Sequence, residues 1–159
     1  MTTTAATLRR ELADALAESG KLTALAWRAA IEHTPRELFL GSSFYRGRGV
    51  QWEPVHRDQV GVDEWLRLVY SDTTWVTQVD GIDAADTDRP LSGNPTSSST
   101  LPSLVAWMLE LSGIGDGDKV LEIGTGTGYS TAILCHRLGD TNVFSVEYDP
   151  GLVLQRSMP

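Results

Sequence analysis

Hydrophobic and polar positions along this chain follow two periods, and each predicts its own elements. From Thr4 to Ser19, Leu8, Leu12, Ala15 and Leu16 recur at helical spacing, which predicts an amphipathic helix stopped by Gly20. Leu22 to Glu32 predicts a second helix with Leu22, Leu25, Ala26 and Ala29 inward, and the short connection predicts a helical pair. Thr34-Pro35-Arg36-Glu37 reads as a new helix start, with Thr34 as cap, Pro35 in the first turn, and Leu38, Phe39 and Leu40 packing down. Residues 41–80 carry a weaker pattern. Thr74 to Val79 alternates as a strand does, whereas Val60 to Tyr70 fits a helix or a strand. Trp52, Trp65 and Trp75 are expected to anchor this segment as core. Asp83 to Thr100 is polar, with Pro90, Gly93, Asn94, Pro95 and the hydroxyl run Thr96 to Ser99, and it predicts a loop. Pro102 then opens a helix, Ser103 to Leu111, with Leu104, Val105, Met108 and Leu111 toward a sheet.

The pattern changes at Lys119 to Tyr129, KVLEIGTGTGY. Val120, Leu121 and Ile123 form a short apolar run that predicts a strand buried on both faces, as in a parallel sheet. Gly124, Gly126 and Gly128 follow at alternate positions, then Tyr129 to Leu138 has helical composition, and Asn142 to Val146 predicts the next strand. Strand, glycine turn, helix and strand make a nucleotide-binding βαβ unit. Glu147, at the carboxyl end of the second strand, is placed to accept hydrogen bonds from both ribose hydroxyls of an adenosine. A dinucleotide fingerprint would want a small residue where Tyr129 stands. The spacing Glu122, Gly124, Gly126, Gly128 instead resembles the first motif of S-adenosylmethionine-dependent methyltransferases. A dehydrogenase, or a glycine-rich turn with no ligand, are the alternatives.

Composition narrows the partners. The 159 residues are 41% hydrophobic and 21% charged, which fits a globular chain. The formal net charge of −8 repels phosphate backbones, so neither nucleic acid nor an anionic membrane is expected as a partner. The first twenty residues lack the apolar core of a signal peptide, and no apolar run nears the roughly 18 residues of a membrane span. Cys135 is alone and reads as a small core residue, which fits a reducing cytoplasm. His33, His56 and His136 have no ligand spacing with Cys135, so no metal site is expected. His56-Arg57-Asp58 matches a kinase catalytic loop only in those three residues, and no phosphate-binding glycine loop precedes it.

Four stretches together resemble the protein-L-isoaspartate O-methyltransferase family, and most nearly its actinobacterial members. They are Trp27 to Ala30, Thr34 to Phe39, Ser99 to Pro102 and Val120 to Ala132. The resemblance implies an α/β, Rossmann-like methyltransferase fold with an N-terminal helical extension. It divides the chain into an N-terminal helical, substrate-side region with the hydroxyl-rich loop, residues 1–100, and the first, incomplete part of a cofactor-binding methyltransferase domain, residues 101–159. It implies S-adenosyl-L-methionine as cofactor, held by Ser99, Glu122, Gly124, Thr125, Gly126, Thr127, Gly128 and Glu147. The implied partner is a protein or peptide carrying an isoaspartyl or aspartyl carboxylate, which is methylated. Thr100 stands where the family has a serine beside the methyl acceptor, and Leu101 stands where a polar residue is common. The family's later strands have no counterpart before residue 159, so a shortened member with a bare sheet is expected. A peptide-modifying methyltransferase and a non-catalytic remnant are further alternatives.

Overall fold

The structure is a computed structural model that describes residues 4–152. Helix α1 (Ala5–Glu18) begins where Thr4 accepts the Thr7 N–H at 3.2 Å on its hydroxyl. Its buried stripe is Leu12, Ala13 and Leu16, with Leu8 packed beside them, so Ala13 takes the inward place expected of Ala15. Helix α2 (Leu25–His33) starts later than its pattern suggests. The Glu110 carboxylate explains the delay, because it accepts the Thr23 and Ala24 N–H groups at 2.7 Å each and holds them outside the helix. Leu22 is buried ahead of the helix, but the helix itself buries Trp27, Ala30 and Ile31, and Leu25 is 82% exposed. Thr34 closes this helix rather than opening the next: its hydroxyl donates to the Ala30 carbonyl at 2.8 Å. The following turn, α3 (Glu37–Leu40), buries Leu40 and leaves Leu38 exposed.

The N-terminal region is not only helical. Strands β1 (Ser43–Arg48) and β2 (Gln51–His56) form an antiparallel hairpin over Gly49, whose φ of 62° suits the tight turn. After α4 (Arg57–Val60) and α5 (Val62–Val69) come β3 (Trp75–Val79), β4 (Ile82–Asp83) and β5 (Pro95–Ser99). The five strands make one sheet in the order β2-β1-β3-β4, with β5 also paired to β3. The ambiguous 60–70 segment is therefore mainly the helix α5. The expected loop at residues 83–100 contains a strand, which is a correction with a physical reason. The β5 backbone pairs antiparallel with β3 from Trp75↔Ser99 to Val79↔Pro95, and its hydroxyls bond across the ladder, Thr77 Oγ1 to Ser97 Oγ at 3.0 Å and Thr96 Oγ1 to Gln78 Oε1 at 2.7 Å.

Helix α6 (Pro102–Leu111) buries Val105, Ala106 and Leu109 and exposes Leu104, Met108 and Leu111, because it lies against α1 and α2 rather than on a sheet. Strand β6 (Val120–Ile123), helix α7 (Tyr129–Leu138) and strand β7 (Val143–Val146) complete the βαβ unit, parallel in the register Val120↔Val143 to Ile123↔Val146. Its boundaries match the sequence expectation closely. Burial does not. Val120 and Val143 pack into the core, but Leu121, Ile123, Phe144 and Val146 point away and are 47–75% exposed. Among the described residues, only one face of this sheet is covered.

The main core joins the helices to β1 and β3 through an aromatic stack. Phe44 lies between Trp65 and Trp75, with ring centroids 4.5 and 4.2 Å away. Trp52 packs on a smaller cluster of Tyr45, Val76, Val79 and Ala84. All three tryptophans anchor the body, as their pattern predicts.

Candidate functional site

The site grows from the turn after β6. Gly124, Gly126 and Gly128 all have positive φ, at 87°, 53° and 83°, a region that penalises any side chain. The Gly124 N–H donates to the Val146 carbonyl at 2.8 Å, so the turn is tied to the end of β7. The Gly126 N–H donates to Glu147 Oε2 at 2.8 Å, while Glu147 Oε1 accepts from the Tyr148 and Asp149 N–H groups at 2.7 and 3.1 Å. These amides, that of Gly126 foremost, hold the Glu147 carboxyl below its ordinary range. Tyr129 fills the place that a dinucleotide fold gives to a small residue. It is buried against Phe39, at 5.9 Å between centroids, and under the Arg36 guanidinium.

Facing this turn is β5. A crevice of about 350 Å³ is lined by Pro95, Thr96, Ser97, Ser98 and Thr100 on one side and by Gly124, Gly126, Glu147 and Leu152 on the other. A smaller recess of about 60 Å³ adjoins it and includes Ser99, Thr125, Thr127, Tyr129 and Ser130 in its walls. A Cβ built on Gly124 would meet nothing within 4 Å, and one on Gly126 would meet the Ser98 carbonyl at 3.5 Å. The glycine turn is thus open toward the crevice.

The structure brings together most of the expected site residues: Ser99, Thr100, Gly124, Thr125, Gly126, Thr127 and Glu147. Gly128 sits just behind them as the N-cap of α7. Glu122 has a different position. Its carboxylate accepts from Ser130 Oγ at 2.6 Å, Ser145 Oγ at 2.8 Å and Thr131 Oγ1, and it lines neither cavity. It pins the start of α7 to both strands. Residues that sequence reasoning passed over also reach the site. Gln78 Nε2 donates to Asp149 Oδ2 at 3.1 Å, a bond that lowers the Asp149 pKa. The same side chain accepts from Thr96, so β3 is linked to one crevice wall and to the segment just after Glu147. Two adjacent polar residues, Thr77-Gln78, in an otherwise apolar strand were the only hint of it.

Another cavity, of about 470 Å³, shares no lining residue with the crevice and is bordered by Ser43, His56, Arg57 and Asp58. The His56 ring is held between Ser43 Oγ at 2.9 Å and the Thr87 carbonyl at 3.1 Å. Among the described residues, no cluster of three or more His, Cys, Asp or Glu side chains could hold a metal. No helix among them is long and apolar enough to cross a membrane. Cys135 is partly buried, and burial pushes its thiol pKa up.

Known proteins resemble this chain over most of its length. The family model described as protein-L-isoaspartate(D-aspartate) O-methyltransferase matches residues 67–158. The protein-L-isoaspartate O-methyltransferase of Flavobacterium psychrophilum is 32% identical over 151 residues, covering 95% of this chain and 52% of its own length. That of Anaeromyxobacter dehalogenans strain 2CP-C is 46% identical over 65 residues, covering 41% of this chain and 30% of its own. A solved structure of a protein-L-isoaspartate O-methyltransferase superposes with a TM-score of 0.61 at 28% identity, over 93% of this chain and 37% of that one. The chain spans about half or less of the length of these relatives.

Proposed function

This chain belongs to the protein-L-isoaspartate(D-aspartate) O-methyltransferase family, and from that premise we propose that its crevice binds S-adenosylmethionine and presents it to a protein or peptide carboxylate. The family uses S-adenosylmethionine and acts on proteins with isoaspartyl residues. One observation carries the reading: an open glycine turn braced by Glu147 faces a wall of hydroxyls across a crevice of about 350 Å³.

The residues present fit the cofactor. Side-chain-free backbone at Gly124 and Gly126 lets a ligand lie against the turn, and the Glu147 carboxylate, ionised at neutral pH, is an acceptor for ribose hydroxyls. When bound, S-adenosylmethionine supplies the activated methyl group. The acceptor carboxylate is already ionised at pH 7, so no residue of the chain has to remove a proton. The work left to the protein is positioning and exclusion of water. Thr100, half-buried at the junction of the two recesses, donates its hydroxyl to the acceptor carboxylate in this reading. Thr125 Oγ1 is bound to Ser145 Oγ at 2.6 Å and Glu122 is bound to three hydroxyls, so these two groups keep the turn in shape.

The test pairs binding with turnover. Calorimetry should detect S-adenosylmethionine, and labelled methyl should pass to a peptide with one isoaspartyl residue and not to its normal aspartyl twin. Equal labelling of both peptides would point to an aspartyl methyltransferase with a defined partner. A protein that binds no cofactor in any length of the chain would remove the proposal.

A further inference from the structure

Arg36 belongs to the Thr34–Phe39 motif, which the cofactor site does not use. Its side chain is fully buried, and among the described residues no carboxylate bonds to it. Instead its guanidinium donates to a fan of carbonyls from two stretches of the chain, residues 69–73 and 99–100. Nη1 reaches the Val69 carbonyl at 2.7 Å and the Ser71 carbonyl at 3.0 Å. Nη2 reaches Thr73 at 3.0 Å, Thr100 at 3.2 Å, and both the carbonyl and the hydroxyl of Ser99 at 3.4 Å. Its Cζ lies 5.6 Å from the centre of the Tyr129 ring, the first residue of α7. Nε is buried and has no hydrogen-bond partner among the described residues. The fan therefore joins the C-terminal end of α5 and the loop into β3 to the end of β5, directly behind the crevice.

A buried cation solvated by five carbonyls and one hydroxyl is an expensive way to pack a core. Burial lowers the Arg36 pKa to about 10, which shows the strain on the charged form. Apolar residues usually fill such space at least as stably as buried charges do. The planar fork has five donors in fixed directions, so it can hold several carbonyls in one mutual geometry, which an apolar side chain cannot. The same loop also grips the site from its other side. Thr74 Oγ1 accepts the Leu101 N–H at 3.0 Å, and Asp72 Oδ1 accepts the Ser103 N–H at 2.8 Å at the start of α6.

We propose that Arg36 is a positioning residue, which holds the Ser99–Thr100 segment against the glycine turn so that the Thr100 hydroxyl meets the acceptor carboxylate. The role of Thr100 rests on the functional reading above; the clamp itself rests on geometry alone.

The test uses Arg36→Lys, which keeps the charge and loses the fork, in the full-length protein. Amide exchange in residues 99–101 should accelerate selectively, with α1 and β1 unchanged. With an isoaspartyl peptide, kcat should fall by about 100-fold, the cost of a displacement near 1 Å, while the Kd for S-adenosylmethionine stays within about threefold. A merely structural arginine would speed exchange throughout and leave kcat per cofactor-binding site intact, and that result overturns the proposal. Should the lysine protein fail to fold, the wild type answers. Its Arg36 guanidinium protons should exchange at the same rate as the amides of residues 99–101, because one opening frees both. A guanidinium that exchanges much faster than that segment also overturns it. Absence of methyl transfer by the wild type would count against the functional reading alone, since the exchange data judge the clamp separately.

Discussion

At Gly126 two constraints fall on one residue. Its φ of 53° disfavours any side chain, and its N–H is committed to Glu147. A β-branched residue there would be strained and would push toward the Ser98 carbonyl and into the crevice. Gly126→Val should therefore abolish S-adenosylmethionine binding by calorimetry in any length of chain that binds it, and unchanged affinity would undo the site assignment. Glu147 should show itself through pH. Its carboxyl is depressed by the Gly126 amide, so the folded state holds its proton less tightly than the unfolded chain does. Its contribution is present above the ordinary carboxylate pKa and disappears as pH falls through the lower folded value. Cofactor affinity should be flat from neutral pH down through the ordinary carboxylate range and decline only below it, and Glu147→Gln should weaken binding and remove that decline. Thr100 offers a simpler contrast. Thr100→Ser keeps the hydroxyl and should stay within a few-fold of wild type. Thr100→Val leaves the acceptor carboxylate without its partner and should cost roughly 1–3 kcal/mol in kcat/KM. Equal rates for the two variants would take Thr100 out of the reaction.

The elements divide by how local their signals are. Helices α1 and α7 and the βαβ unit could be read from the chain because apolar spacing and glycine stops act within a few residues. Strand β5 could not, although its hydroxyl run was visible. Serines and threonines look like a loop until β3 supplies a ladder about twenty residues away. The hairpin β1–β2 was hidden for a similar reason, since its burial depends on Trp65 and Trp75 stacking on Phe44 from other elements. The buried faces of α2 and α6 are rotated from those their apolar spacing predicts, because Glu110 resets the start of one and the helical pair, not a sheet, receives the other. In the site, the glycines and Glu147 were legible by spacing, whereas Gln78 and Arg36 were not, since a sequence does not show which polar side chains turn inward. The strand makes its own prediction. Amides in residues 96–99 should exchange markedly more slowly than those of residues 87–89, in keeping with a ladder rather than a mobile loop. Comparable fast exchange in both stretches would restore the loop reading.

For the whole molecule, the distribution of apolar surface decides the behaviour. Most of the chain closes around the aromatic stack, but the β6–β7 sheet has one face packed and one face bare among the described residues. Leu121 and Phe144 pair across that face, as do Ile123 and Val146, so the exposed side chains are contiguous rather than scattered. Fully burying an exposed side chain of this kind is worth roughly 1.5–3 kcal/mol, and these four, already partly covered, would each contribute a fraction of that. A parallel sheet ordinarily has cover on both faces, and an uncovered apolar strand invites pairing with another chain. For a purified polypeptide of these 159 residues, the cover at hand is a second copy. Such a sample should associate in sedimentation and bind a hydrophobic dye. Leu121→Thr, Ile123→Thr, Phe144→Thr and Val146→Thr together should reduce both signals, because threonine keeps strand propensity while removing apolar area. The melting temperature should change little, as none of the four contributes to the core cluster. A wild-type sample that sediments as a monomer and leaves the dye dark would mean that the face is covered from within the chain, and the bare sheet would no longer govern how this protein behaves.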